Sequence, residues 1–180
     1  MSTSTTIVQQ LSRFFFSSNA TEMMTACDGL AVFFPLPAVD DWSTVEFSFN
    51  RLFVGPRTLL APPYASIYLD GDHTRLMNES TLKIRQLYEL VGLVSPWLNK
   101  IPDDHVALEL DALWQIESAM QNVDSPQLRD VHAFLMTHLQ SWIPLFYERV
   151  FSIEGVHPVV TRVTEILHLS VTNPLAITTR

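Results

Sequence analysis

The chain of 180 residues has a single cysteine, Cys27, and only 5 glycines. One cysteine excludes an internal disulfide and a cysteine-built structural zinc site, which fits a reducing compartment. Glycines this few and scattered form neither GxGxxG nor a Walker loop, so no phosphate cradle is encoded. Basic residues are also scarce: 11 Lys and Arg stand against 19 Asp and Glu, a net charge of −8. Nucleic acid needs a basic surface and is an unsuitable partner. An acidic surface instead steers cationic partners inward. Long apolar runs are missing. The longest, Leu30 to Val39, is broken by Pro35 and Pro37 and falls far short of the ~20 residues of a membrane span. The N-terminus has no basic stretch ahead of its apolar residues, so no secretory signal is expected there.

What is present is helical periodicity in a globular composition, with 47% apolar and 17% charged residues, enough for a full core in one domain. Ile7, Val8, Leu11, Phe14 and Phe15 share a helical face. Asn19 and Glu22 have capping-box spacing ahead of a second helix, which Pro35 is expected to stop. Asp40 or Asp41 is placed to cap a third, with Trp42, Val45, Phe49, Leu52 and Phe53 on one stripe. Periodicity resumes after Asn78, and again after Asp103 or Asp104 in a helix apolar on several faces, hence central. Gln127–Leu139 is periodic, and Pro144 is expected to break or restart that helix, with Ser141 as a new cap. Gly155 then stops that helix, and Pro158 opens a last helix through Val171. The expectation is an all-α fold, a single compact helical domain over residues 1–180, with about seven or eight helices. A long proline- and aromatic-rich loop runs from about Val54 to Met77, too long for a mere connection.

Two places carry polar or recognition chemistry. Pro102-Asp-Asp-His105 and Asp70-Gly-Asp-His73 each join carboxylates to an imidazole. Helix capping by Asp103 or Asp104 and an Asp-Gly turn explain both, while a metal site or a grip on a cationic ligand is the functional alternative. Neighbouring helical residues diverge, which disfavours chelation. HExxH, the EF-hand loop and Gly-x-Ser-x-Gly are missing, so no catalytic residues and no cofactor are assigned. His132 and His138 do not share a face. His157 is placed to cap or pack the last helix, and His168 and Cys27 read as packed groups. The second place is the loop. Pro62 and Pro63 stiffen it, and Tyr64 and Tyr68 suit either a recognition wall or a plug for the core.

Three blocks in register resemble the TorD/DmsD family of redox-enzyme maturation chaperones. They are Asn50–Pro56 followed by Ala61–Tyr68, Pro102–His105 running into Leu108, Leu110 and Leu113, and Phe134–Trp142 with Pro144 and Phe146. The resemblance spans about Leu11 to Val171. Leu52–Pro56 and Ser80-Thr-Leu with Arg85-Gln look like the DmsD branch. It implies a cytoplasmic, non-enzymatic, all-helical protein that binds the twin-arginine signal peptide of a precursor. The implied clients are molybdopterin oxidoreductases, such as dimethyl sulfoxide or trimethylamine N-oxide reductases, held until their cofactor is inserted and only then exported. The export translocase is an additional implied partner. Monomers and domain-swapped dimers occur within the family, and weak guanine-nucleotide binding has been proposed for some members. The peptide-binding positions it implies are Phe49, Leu52, Pro62, Pro63, Tyr64, Tyr68, Asp70, Asp104 and His105. An acidic rim of Asp70, Asp72, Asp103 and Asp104 would meet the arginines. Phe49, Arg57, Tyr64 and Tyr68 stand where DmsD-like chains often carry Trp, and Asn78 replaces a common glycine. A metal-dependent hydrolase and a general helical adaptor are the competing classes.

Overall fold

Side chains close the first turns of the helices, largely where the sequence marks them. The computed structural model describes residues 2–69, 79–90, 92 and 101–173. Among these are eight helices and no strand: α1 (Thr3–Phe16), α2 (Ala20–Ala31), α3 (Trp42–Phe53), α4 (Ala65–Leu69), α5 (Glu79–Leu90), α6 (Val106–Met120), α7 (Pro126–Phe151) and α8 (Pro158–Thr172). Asp70, Asp72, His73 and Asn78 lie outside the described residues.

Asn19 Oδ1 accepts from the Glu22 N–H at 3.0 Å, and Glu22 answers through Ser18 N at 2.7 Å, one residue earlier than in the usual box. Asp41 caps α3 through Ser43 N at 2.9 Å. Ser125 caps α7 with Pro126 in its first turn, and His157 Nδ1 caps α8 through Val159 N at 3.2 Å.

Four expectations need correction. Helix α2 ends at Ala31, before Pro35, because the N–H groups of Phe33 and Phe34 both return to Leu30 O, at 2.9 and 3.0 Å. Helix α7 runs unbroken through Pro144. An interior proline costs about 3 kcal/mol, but Trp142, Ile143 and Phe146 beside it are fully buried, each worth about 1.5–3 kcal/mol. Ser141 therefore caps nothing and donates to His138 O at 2.6 Å. The expected loop contains α4, and the cap of α6 is His105, whose Nδ1 accepts from Ala107 N at 3.1 Å, not Asp103 or Asp104.

The core lies around α1 and α6, which pack on each other, with α2 on α1 and α7 between α6 and α8. Helix α6 is buried on several faces, as its pattern predicts. Ser12 Oγ ties α1 to α6 by donating to Ala107 O at 2.9 Å. Edge-on aromatic contacts link α1 to α3, with Phe14–Phe49 at 5.6 Å and Phe15–Phe53 at 5.7 Å; Phe53–Phe146, at 5.6 Å, reaches α7. Cys27 is buried, and burial pushes its thiol up to about 12, so it packs and does not react.

Candidate functional site

The stiff loop and the Asp-Asp-His turn, distant in sequence, meet as a clamp. Pro62 and Pro63 hold the chain extended, and His105 is extended too, with ψ 135°. Tyr64 and His105 consequently form an antiparallel bridge, the one isolated β-bridge among the described residues. Val106 N–H donates to Pro63 O at 2.9 Å, and Ala65 N–H to Asp104 O at 3.0 Å.

Side chains of the turn fasten three different neighbours. Asp104, fully buried, accepts from Ser66 N at 2.9 Å and so starts α4. Asp103, also buried, takes Arg85 Nε at 2.6 Å, which draws α5 in; its carbonyl accepts from Tyr88 Oη at 3.3 Å. His105 caps α6. These groups diverge, and no group of three His, Cys, Asp or Glu able to hold a metal occurs among the described residues. Asp103 and Asp104 therefore join the walls of the site instead of forming the expected acidic rim, and Asp70 and Asp72 lie outside the described residues.

The clamp leaves a cleft of about 350 Å³ beside it, between the end of α1, the end of α3 and the extended loop. Phe49 forms part of its floor, with Phe16, Phe53, Leu59, Tyr64, Ile101 and His105 around it. The His105 ring stacks on Phe16 at 6.2 Å and meets the edge of Tyr64 at 5.1 Å. Burial pushes its imidazole down to about 4, so it is neutral at pH 7, with Nδ1 as acceptor and the proton on Nε2. Burial, then the charge of Asp104, raises the Tyr64 hydroxyl.

Other expected contacts sit deeper. Leu52 is fully buried, and its carbonyl accepts from Ala61 N at 3.1 Å. Tyr68 stacks inward on Trp142 at 5.8 Å and meets Phe146 at 6.1 Å. Its ring plugs the core, the alternative the loop's composition left open. Pro63 is buried and Pro62 half-buried, as supports of the loop.

Residues 17–148, which hold most of this clamp and cleft, match the family model described as nitrate reductase delta subunit. The chain belongs to that family, the TorD/DmsD group its motifs resemble. This delta-subunit family member is 33% identical over 112 residues to the Tat proofreading chaperone DmsD of Salmonella typhi, covering 62% of this chain and 50% of that one. It is 34% identical over 104 residues to the chaperone protein TorD of Aliivibrio salmonicida, covering 54% and 47%. The chain thus spans about half the length of the curated relatives it matches. A crystal structure from Archaeoglobus fulgidus, assigned as a redox enzyme maturation protein, shares the fold with a TM-score of 0.60 over 93% of each chain at 14% identity.

One buried group of the family member escapes sequence reasoning. Glu109 on α6 is fully buried, accepts from Trp142 Nε1 at 3.2 Å and lies 3.1 Å from His138 Nε2. Burial raises its carboxyl, and the His138 and Trp142 contacts hold it back. The available signal was a glutamate in the otherwise apolar run Val106–Leu110, a place where a charge needs partners.

Proposed function

We propose that this protein is a maturation chaperone that binds the twin-arginine leader of a molybdopterin oxidoreductase precursor. It holds the precursor in the cytoplasm until its cofactor is inserted, and releases it for export. The names of its relatives support the chaperone class, and no helix among the described residues is long and apolar enough to cross a membrane. The observation that carries the reading is the clamp. Two motif blocks shared with the family meet through Tyr64 and His105 and raise an aromatic cleft between them.

The cleft takes the apolar part of the leader, as a groove takes an apolar helix face. Tyr64 and His105 are its walls and Phe49 its floor; Leu52, Pro62, Pro63, Tyr68 and Asp104 hold these in place. Asp70 is the proposed acidic contact for the arginines.

Titration calorimetry with a synthetic twin-arginine leader tests this. Tyr64→Ala should weaken binding about tenfold or more, the size typical of a lost aromatic anchor. Replacing the paired arginines of the peptide by lysines should also weaken it, because lysine lacks the bidentate fork. A general adaptor would not distinguish the two peptides. Unchanged affinity in both experiments refutes the proposal.

A further inference from the structure

A second cleft, of about 800 Å³, adjoins the first: Asn50 lines both. Its walls come from α3 (Phe47, Asn50 and Arg51) and from the turn with Pro56, Arg57 and Leu60. It is apolar and open. Phe47 is 71% exposed, and Val54, which lines the first cleft, is 62% exposed. Its charged lining side chains are both cations, Arg51 and Arg57. Arg149 stands at its edge, donating from Nε to Leu60 O at 2.8 Å. Arg51 donates to the Glu154 carbonyl at 2.7 Å. Among the described residues no carboxylate forms an ion pair with any of these three arginines. In a chain of net charge −8, an apolar cleft ringed by uncompensated guanidinium groups is a selective feature. It suits a carboxylate beside apolar side chains and repels a cationic peptide end.

We propose that this cleft binds a carboxylate-bearing apolar stretch of the same client chain, and so fixes the direction in which the client lies. The inference rests on the leader-binding reading above. One client segment passing Asn50, which lines both clefts, reaches both. Its apolar part fills the aromatic cleft, its acidic part meets Arg57, and its paired arginines lie away from the Arg51 and Arg57 end. Specificity then comes from repulsion as much as attraction.

Fluorescence anisotropy with labelled synthetic peptides decides the matter. Each peptide has a leucine and alanine core and carries two glutamates or two lysines at one end, with both ends tried. At least one glutamate peptide should bind about tenfold tighter than its lysine counterpart, with the gap shrinking from roughly 0.05 M to 0.3 M salt. Arg57→Glu, an exposed change that leaves the Arg51–Glu154 contact intact, should invert the preference while the helical circular dichroism stays unchanged. Equal binding of the two peptide types, or a preference that survives Arg57→Glu, overturns the proposal. Binding of the unmodified twin-arginine leader, and its loss in Tyr64→Ala, is read separately. Failure there strikes the leader-binding reading and leaves the charge preference to be judged on its own.

Discussion

Asp104→Ala separates a residue that builds the site from one that touches a ligand. Asp104 Oδ2 accepts from Ser66 N at 2.9 Å, with both residues fully buried. Removing the carboxylate forfeits a hydrogen bond to a charged group, worth about 1.5–3 kcal/mol, and strands a buried N–H. The two backbone bonds of the clamp, Val106 to Pro63 and Ala65 to Asp104, survive the change, so the loss is local. A destabilisation of about 2–3 kcal/mol should lower Tm by about 5–10 °C in a chain of this size. Asp104→Asn keeps an acceptor oxygen and should lose only about 1 kcal/mol. Thermal unfolding by circular dichroism reads both, with no ligand present. Hydrogen exchange should localise the damage, with the amides of Ala65 and Ser66 exchanging faster while those of α7 do not. An Asp104→Ala protein that melts within about 1 °C of wild type, with Ser66 still protected, would refute the account of Asp104 as a fastening.

Two further outcomes follow from other residues. The folded imidazole of His105 sits at about 4, below its ordinary 6.5, so the unfolded chain binds the extra proton between those values. The stability tied to neutral His105 is complete above pH 6.5 and is lost as pH falls toward 4, on the order of 1–2 kcal/mol after discounting its partial exposure. Glu109, whose carboxyl is raised, works in the opposite direction, so denaturant titrations of wild type and His105→Asn at several pH values are compared. The variant keeps a capping side chain and should lose less stability on acidification. At Pro144, replacement by alanine restores an N–H inside α7 and should raise stability by about 1–2 kcal/mol, seen as a higher Tm. A lower Tm would mean that the proline ring contributes packing beyond its backbone cost.

The helices and most of their caps were legible because they rest on signals a few residues apart: Asn19 with Glu22, Asp41 with Ser43, Pro158 after His157. The site was legible only in part. Tyr64 and His105 line a cleft, and Asp103 and Asp104 turn inward. Their partners, Arg85 and Ser66, lie on other elements, and no local pattern reports a contact across such a separation. Pro144 misled for a similar reason, since the burial that outweighs its cost is tertiary. Helix α4 was hidden because Asp104, which starts it, is remote in sequence.

The bridge between Tyr64 and His105 also bears on the order of events in folding. Helices form from neighbours, but this pairing must close a loop of roughly 40 residues, at an entropic cost of about 3 kcal/mol. Rapid local steps precede such closure. The walls of the cleft are therefore expected to come together late, after most helices have formed. A half-folded copy would lack the aromatic cleft, so a formed cleft would itself report that this protein has finished folding.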